Sequence, residues 1–414
     1  MAGGSAALVF DWNARAPHEP GAAKPVTLLD ETLRDGLQSP GVRQPSIGDK
    51  LEILHRMDDL GIHGATLGHP SSSARAFDDV LRLVEEVRDC RMKIRVACAG
   101  RTVAGDITPM IEIAQRTGVP VEVCAFIGSS PIRQYVEELE LSLLVRRSTE
   151  AIDLAVKAGL SVTYVTEDTT RSHPEVLATL FRAAIDRGAS RLCLADTVGH
   201  ATADGVRSLV QFTRGVIAEA GAMHVGVDWH GHNDRGLALA NTLCAIESGV
   251  DRAHGTALGI GERVGNAPIE LLLVNLMLLG RLGDQDLARL PEYCAAVARA
   301  TGWRVPGNQP VVGQDAFRTA TGVHAAAMIK AMAKGDAWLV DRIYSGVPAA
   351  ALGRRQEIRV GFMSGSSNVR HWLRERSIPV HDELVREVLR VAKSQSSVMT
   401  DDEVLAVVER VRAG

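Results

Sequence analysis

Short β-branched runs alternate with amphipathic stretches along most of this chain, and this alternation limits the folds open to it. Each run is followed by a stretch with helical spacing, such as DKLEILHRMDDLGI at 49–62, and a glycine usually precedes the next run. Strict alternation of strand and helix predicts a parallel sheet. The eight predicted strands are VTLLDE (26–31), HGATLG (63–68), KIRVACA (93–99), VEVCAF (121–126), SVTYVTE (161–167), SRLCLAD (190–196), HVGVDWH (224–230) and DRAHGTA (251–257).

The number and spacing of these units predict a closed barrel. Eight strand–helix units over residues 26–282 match a (β/α)₈ barrel, which takes about 250 residues. We therefore predict an α/β protein with a (β/α)₈ TIM barrel over residues 26–282. An open doubly wound sheet is the alternative. It would place a G-x-G-x-x-G turn after the first strand, where this chain has ETLRDGLQSPG instead.

The pattern changes on both sides of the predicted barrel. Residues 1–25 are rich in Gly, Ala and Pro, lack the basic and apolar regions of a signal peptide, and are predicted to be a flexible leader. Residues 283–414 are predicted to be a mostly helical C-terminal accessory region without a regulatory domain. Its last helix is expected over about 401–412, opened by a capping box of Thr400 and Glu403.

Composition excludes several classes of partner. The formal net charge is −4, with no clustering of Lys and Arg that would indicate a nucleic-acid surface. No apolar run reaches the roughly 18 residues that a membrane-spanning helix requires. The six cysteines are scattered and form no C-x-x-C pair, which is typical of buried free thiols in a reducing compartment. We expect a cytoplasmic protein with neither a nucleic-acid nor a membrane partner.

Polar side chains collect at the C-terminal ends of the predicted strands, where barrel enzymes place their active sites. His230 and His232 are two positions apart, so both imidazoles face the same side of a strand. Two neutral imidazoles and one carboxylate leave open positions on a divalent cation, as Lewis-acid chemistry requires. We take Asp35, at the end of the first strand, as that carboxylate. A polar strand end without a metal is the alternative.

Three further features have both a functional and a plain structural interpretation. Arg34 stands beside Asp35 and can stabilise an oxyanion formed from a carbonyl, although most arginines form surface ion pairs. The run GIGERVGN (259–266) allows close approach of a substrate, but a simple strand–helix connection explains it equally well. His324 lies beyond the barrel, and by itself it predicts only a structural or solvated histidine.

Longer motifs occur in a fixed order along the chain. They are DETLRDGLQSPG (30–41), HGHNDRGLALANTLCAIESGV (230–250) and GIGERVGNAPIE (259–270), with shorter matches at TEDTTRS (166–172), ADTVG (195–199), TGVHAAA (321–327) and SGSSNV (364–369). From about residue 25 onward the chain resembles the isopropylmalate synthase and homocitrate synthase family of DRE-TIM metallolyases. The resemblance implies a (β/α)₈ barrel, a divalent cation (Mg, Mn or Zn) and acetyl-CoA as co-substrate. It also implies a Claisen-type condensation with a 2-oxo acid, followed by thioester hydrolysis.

The resemblance also implies roles for individual residues. Arg34 resembles the arginine that polarises the acceptor carbonyl, and Thr197 resembles a residue that binds the acceptor carboxylate. Glu167 and His324 resemble the pair linked to deprotonation of the acetyl methyl group. In the family this histidine comes from the partner subunit, which implies a homodimer with an exchanged accessory region. The implied metal ligands are Asp35, His230, His232 and, as a possible further ligand, Asn266.

Departures from the family pattern bear on the acceptor. Many members have Glu where Leu37 stands. Homocitrate synthases usually carry a histidine on the third strand and an arginine on the fifth, where this chain has Ala99 and Thr163. Homocitrate formation is therefore not expected. His69 replaces a more usual apolar residue and favours an acceptor with a polar group. The predicted substrate-binding residues are thus Arg34, His69, Ala99, Thr163 and Thr197.

The resemblance therefore implies an acyltransferase, similar to 2-isopropylmalate synthase, that makes a 2-alkylmalate and CoA. A homocitrate, citrate or citramalate-type synthase with another 2-oxo acid is one alternative. A carbon–carbon lyase resembling hydroxymethylglutaryl-CoA lyase is another, but its glycine-rich loop contains a cysteine that GIGERVGNAP lacks. A non-enzymatic binding protein is the third. Neither the 2-oxo acid nor the native metal follows from the sequence.

Overall fold

The chain divides into two compact units. The computed structural model describes residues 8–15, 26–283 and 285–413, so most of the predicted leader lies outside the described residues. The barrel unit comprises Ala22–Asp286 and Glu292–Arg304, and the second unit comprises Met1–Gly21, Leu287–Pro291 and Val305–Gly414. Within the described part of the chain, no helix combines the length and apolarity needed to cross a membrane.

Eight parallel strands close into a barrel in sequence order, with the first strand paired to the eighth. They are β1 Thr27–Asp30, β2 Gly64–Thr66, β3 Arg95–Arg101, β4 Val121–Gly128, β5 Val162–Glu167, β6 Arg191–Asp196, β7 Gly226–Gly231 and β8 Arg252–Gly255. All eight overlap the predicted runs, so the predicted TIM barrel is confirmed and the open doubly wound sheet is wrong. Because Asp30 is level with Gly255, the segments that follow β1 and β8 leave the barrel side by side.

One or two helices follow each strand of the barrel. They are α1 Ile47–Asp59, α2 Ala74–Asp89, α3 Ala104–Thr117, α4 Pro131–Glu137, α5 Leu141–Lys157, α6 Pro174–Asp186, α7 Ala203–Glu219, α8 Ala238–Glu247, α9 Ile269–Leu278 and α10 Leu290–Thr301. The first shows how they form: Ser46 and Asp49 make a reciprocal capping box at its N-terminus. Ile53, Leu54 and Met57, spaced at helical intervals, are fully buried.

The second unit is mostly helical, as predicted. Its elements are β9 Arg318–Thr319, α11 Gly322–Ala333, α12 Ala337–Arg342, β10 Glu357–Ile358, α13 Ser366–Glu375, α14 Asp382–Ser394 and α15 Asp401–Ala413. The last three helices share an apolar core that includes Trp372, Val388 and Val408. The predicted capping box of α15 is confirmed, since the Thr400 N–H donates to Glu403 Oε2 (2.7 Å) and the Glu403 N–H donates to Thr400 Oγ1 (3.2 Å).

The cysteines are all free, and five of the six are buried. The expectation of burial is wrong for Cys90, which follows the last residue of α2 and is exposed. A helix end carries few side-chain neighbours, so a cysteine there is not drawn into the core.

A tightly folded loop follows β8 and places Asn266. The Asn266 N–H donates to the carbonyl of Gly259 (3.0 Å), so the loop closes on itself. Gly265 has a φ of +88°, and a Cβ at this position would overlap the carbonyl oxygen of Gly259. Only glycine combines this left-handed backbone with so close an approach.

Substitution of Gly265 by alanine tests this packing. We expect Gly265→Ala to lower the free energy of unfolding by at least about 2 kcal/mol more than Gly118→Ala does, because backbone overlap adds to the left-handed strain. Gly118 is the matched control, since its φ is +70° and nothing lies within 4 Å of a Cβ built there. Chemical denaturation measures both values. Equal losses in the two variants would show that the loop relaxes without cost.

Asp30 is a buried acid on the outer face of the barrel wall. It accepts hydrogen bonds from the Tyr293 hydroxyl on α10 (2.5 Å) and the Thr32 N–H (2.8 Å). Burial nevertheless raises the pKa of Asp30 to about 6. Between pH 4 and 6 the folded protein keeps a proton that the unfolded chain releases, so this group makes stability fall as pH rises through that range.

Asp30→Asn removes this titration while keeping groups that can hydrogen-bond to Tyr293 and Thr32. The stability of the variant relative to the wild type should rise between pH 4 and 7 by up to about 3 kcal/mol, the equivalent of two pKa units. Chemical denaturation at a series of pH values measures the difference. A difference that stays constant over this range would mean that Asp30 ionises normally in the folded protein.

Candidate active site

A cavity of about 340 Å³ opens at the C-terminal ends of the barrel strands. Its walls come from residues on or just after β1 to β8, which is where a TIM barrel carries its site. The cavity brings together eight of the predicted site residues: Arg34, Asp35, His69, Ala99, Glu167, Thr197, His230 and His232.

Three donor atoms form a compact triangle on one side of the cavity. Asp35 Oδ2 lies 3.1 Å from His230 Nε2 and 3.4 Å from His232 Nε2, and the two nitrogens are 3.3 Å apart. Ligand atoms bound about 2.1 Å from one cation are separated by roughly 3.0–3.4 Å. The triangle therefore has the dimensions of one face of a metal coordination sphere.

Asn266 adds a polar atom next to this triangle. Its backbone forms a bridge with that of His232, and its side chain is buried. The amide nitrogen donates to the carbonyl of Ile260 (3.3 Å), whereas Oδ1 has no hydrogen-bond partner among the described residues. A buried carbonyl oxygen without a partner is costly, and a cation ligand position would satisfy it.

The electrostatics of the triangle suit ligands of a cation. Burial alone would raise the pKa of Asp35, but Arg34 and the two histidines hold that pKa well below its usual range. Burial lowers the pKa of His230 to about 4, against the opposing effect of Asp35. At neutral pH the site therefore contains a carboxylate and a neutral imidazole at His230, which are the forms that bind metal ions.

Arg34 is held between two carboxylates at the cavity wall. Its Nε donates to Glu31 Oε2 (2.7 Å), and its Nη2 lies 3.6 Å from Asp35 Oδ2. These neighbours raise the pKa of Arg34 although burial opposes them. The guanidinium is thus permanently charged and fixed in orientation, as an oxyanion-stabilising group must be.

Thr197 and Glu167 lie on the walls supplied by β5 and β6. The hydroxyl oxygen of Thr197 accepts the Asp168 N–H (2.8 Å), which leaves its own O–H to donate elsewhere. Glu167 Oε1 lies 3.3 Å from Arg133 Nη1. Burial raises the pKa of Glu167, and the charge of Arg133 only partly offsets this effect. A raised pKa makes a carboxylate a stronger base.

The remaining wall is apolar. Ala99, Cys124, Phe126 and Val165 pack together and face the cavity. Burial raises the pKa of the Cys124 thiol well above its usual range, so the thiol is neutral. The ring of His69 meets Phe126 edge to face at 6.0 Å. This wall suits an uncharged hydrocarbon group.

Three predicted site residues do not line the cavity. Asn266 is buried beside His232, as described above. Thr163 is fully buried one layer below Val165 and accepts from Arg252 Nη2 (3.0 Å). His324 belongs to the second unit, where its exposed ring stacks on Tyr344 at a centroid distance of 4.1 Å.

Charged residues deeper in the barrel were missed by sequence reasoning. Glu122, Asp228, Arg252 and His254 are buried in the barrel interior and form a connected set of ion pairs. Their signal was present in the sequence. Glu122, Asp228 and Arg252 each stand two positions before a cavity residue on the same strand, and His254 itself borders the cavity. Inward-facing charges in barrel strands mark a buried ionic layer.

Comparison with known proteins identifies the family of this chain. Residues 25–297 match the family model described as HMGL-like. The 2-isopropylmalate synthase of Sulfolobus acidocaldarius is 32% identical over 378 residues, which cover 90% of this chain and 91% of that protein. The homocitrate synthase AksA of Methanocaldococcus jannaschii is 31% identical over 407 residues, covering 97% and 94%.

Solved structures share the barrel. The HMG-CoA lyase of Bacillus subtilis superimposes with a TM-score of 0.58 at 22% identity, covering 68% of this chain and 96% of that chain. The lyase from Pseudomonas aeruginosa gives 0.56 at 20% identity, covering 67% and 93%. At these identities the likeness shows the fold alone. The family model and the synthases together show that this chain belongs to the HMGL-like family of DRE-TIM barrels.

Proposed function

We propose that this protein is an acyltransferase that condenses acetyl-CoA with a 2-oxo acid to give a 2-alkylmalate and CoA. The observation that carries the proposal is the position of Arg34, fixed beside the triangle of Asp35, His230 and His232 at the cavity wall. That arrangement suits a substrate whose carbonyl oxygen becomes negatively charged during reaction. The similar proteins named as synthases support this direction of chemistry.

The reaction balances with groups that line the cavity. A base removes a proton from the methyl group of acetyl-CoA, and the resulting carbon nucleophile bonds to the keto carbon of the acceptor. Arg34 stabilises the charge that develops on the former carbonyl oxygen, which then takes up a proton. Water hydrolyses the thioester and releases CoA. Glu167, with its raised pKa, is the base within the cavity, and Thr197 donates to the acceptor carboxylate.

Asp35, His230, His232 and Asn266 would hold a divalent cation. The spacing of the three donor atoms and the unsatisfied Oδ1 of Asn266 support this assignment. A bound Mg²⁺, Mn²⁺ or Zn²⁺ would supply Lewis-acid polarisation of the acceptor carbonyl.

We further infer a cytoplasmic homodimer in which His324 serves the cavity of the partner subunit. His324 is exposed, and Val323 beside it is 73% exposed. Tyr344, which contacts the ring of His324, and Met363, whose carbonyl accepts from the Gly322 N–H, are also exposed (47% and 60%). A group of exposed apolar side chains is typical of a surface that a partner covers. His324, stacked on Tyr344, would then assist Glu167 in deprotonating the acetyl group.

The acceptor side chain would lie against the apolar wall. The arginines that line the cavity are Arg34, held by Glu31, and Arg263, which pairs with Asp234 (2.9 Å). A second carboxylate placed against Ala99 and Val165 would lack a cation, at a cost of several kcal/mol. The wall therefore favours an uncharged acceptor side chain.

The metal assignment predicts that one substitution removes cation binding and activity without unfolding the protein. His232→Ala should lower the affinity for Mn²⁺ at least about 100-fold and abolish CoA release, because a ligand is removed. Equilibrium dialysis with Mn²⁺ measures binding, and circular dichroism should show an unchanged fold. His69→Ala is the matched control, a cavity histidine outside the triangle, and should bind Mn²⁺ normally. Full turnover by the His232 variant after chelation would remove the cation from the reaction.

Exchange between subunits predicts complementation. Arg34→Ala and His324→Ala should each keep only a small residual activity as homodimers, whereas a mixed dimer regains one intact site and about half of the wild-type activity. Co-expression with two affinity tags isolates the mixed dimer, and CoA release measures its activity. Verified mixed dimers without activity would place His324 in the cavity of its own subunit or outside catalysis.

The apolar wall predicts acceptor preference. An apolar branched 2-oxo acid such as 2-oxoisovalerate should be preferred over 2-oxoglutarate by at least about tenfold in kcat/KM, or about 1.4 kcal/mol. The panel includes pyruvate, phenylpyruvate and oxaloacetate, with release of CoA as the readout. 2-Oxoglutarate as the best acceptor would contradict the role given to this wall.

His69 is the control position in this panel. Its Nε2 lies 2.9 Å from Asp106 Oδ2, and its ring contacts Phe126 of the apolar wall, so it is the polar side chain nearest that wall. Preference for oxaloacetate in the wild type, lost in His69→Phe, would assign specificity to His69 in place of the apolar wall. An unchanged ranking in His69→Phe supports the wall.

A further inference from the structure

Beneath the cavity lies a layer of charged side chains that the proposed reaction does not use directly. Asp228 on β7 accepts from Arg191 Nε (2.6 Å) and Arg252 Nε (2.7 Å). Arg252 also pairs with both carboxylate oxygens of Glu122 on β4. Asp228 is fully buried, so its position is fixed by these partners.

His254 on β8 connects this layer to the catalytic wall. Its Nε2 lies 3.2 Å from Asp228 Oδ2, and its Nδ1 lies 3.3 Å from Glu31 Oε1. Glu31 in turn accepts from Arg34 Nε through its other oxygen (2.7 Å). A continuous chain of polar contacts therefore runs from Asp228 through His254 and Glu31 to Arg34.

The chain explains how Arg34 keeps one orientation. Glu31 uses one carboxylate oxygen for Arg34 and the other for His254, so the carboxylate plane cannot rotate without losing a contact. Both Glu31 and His254 are 3% exposed although they border the cavity, so water has little access to replace a lost partner. A guanidinium displaced by about 1 Å would lose much of its stabilisation of an oxyanion.

We propose that His254 is a positioning residue of the reaction: by holding the carboxylate of Glu31, it fixes the guanidinium of Arg34 towards the acceptor carbonyl. The proposal rests on the role given to Arg34 under the proposed function. It assigns His254 no contact with substrate and no role as a cation ligand.

Two substitutions at one position separate the two contacts. In His254→Asn the amide nitrogen can stand where Nδ1 stands, which keeps the polar contact with Glu31 and loses Asp228. In His254→Gln it can stand where Nε2 stands, which keeps Asp228 and loses Glu31. We expect the Asn variant to keep kcat within about fivefold, and the Gln variant to lose at least about thirtyfold in kcat with KM for acetyl-CoA unchanged. A larger kcat loss in the Asn variant than in the Gln variant overturns the proposal.

The affinity for Mn²⁺ distinguishes a loss of Arg34 positioning from damage to the cation site. His230 is close enough to be disturbed, since its ring centroid lies 5.6 Å from that of His254. Both variants should bind Mn²⁺ with wild-type affinity and show wild-type thermal unfolding within a few degrees. A kcat loss that tracks lost Mn²⁺ affinity would overturn the proposal, because His254 would then act through the cation site.

A double-mutant cycle gives the decisive measurement. In the Arg34→Ala background, His254→Gln should lower single-turnover CoA release by less than about twofold, because its effect passes through Arg34. Independent, multiplicative losses would overturn the positioning role while leaving the role of Arg34 intact. Wild-type activity in Arg34→Ala alone would instead refute the proposed function of Arg34, and the His254 proposal with it.

Discussion

The ionic layer inside the barrel is the constraint on which the geometry of the site depends. A TIM barrel usually fills its interior with branched apolar side chains. Here Asp228 pairs with Arg191 and Arg252, Glu122 pairs with Arg252, and His254 lies between Asp228 and Glu31. Burial would lower the pKa of His254, but Asp228 and Glu31 raise it. Strands β1, β4, β6, β7 and β8 are therefore held together by directional contacts as well as by their backbone ladder.

The cavity above this layer has two kinds of wall. On the side of β1 and β7, fixed charges surround the place where a carbonyl oxygen would gain negative charge. On the side of β3 to β5, Ala99, Cys124, Phe126 and Val165 offer no group that can stabilise charge. A ligand with one polar end and one hydrocarbon end can therefore bind in only one orientation without burying an unpaired group.

Much of this was predictable from the sequence because it depends on periodicity and on strand ends. Alternating runs gave all eight strands, and residues that follow strand ends had to meet at one rim, which brings Asp35 to His230 and His232. Which inward-facing residue of a strand reaches the cavity was not predictable. Thr163 and Val165 are two positions apart and both face the barrel interior, and only the stagger of the closed barrel decides that Val165 reaches the cavity. The partner of His69, Asp106, is 37 positions away and could not be read from spacing.

The dependence of each buried charge on its neighbours also constrains how such a barrel can evolve. Substitution of Arg252 alone would leave Asp228 and Glu122 with too few cations. Breaking a buried ion pair in this way lowers the free energy of unfolding by about 3–5 kcal/mol. Intermediates with only one substitution would therefore fold poorly. Descendants of this barrel are expected to keep positions 122, 228 and 252 together or to exchange them together, so these sites should covary although they lie on three different strands.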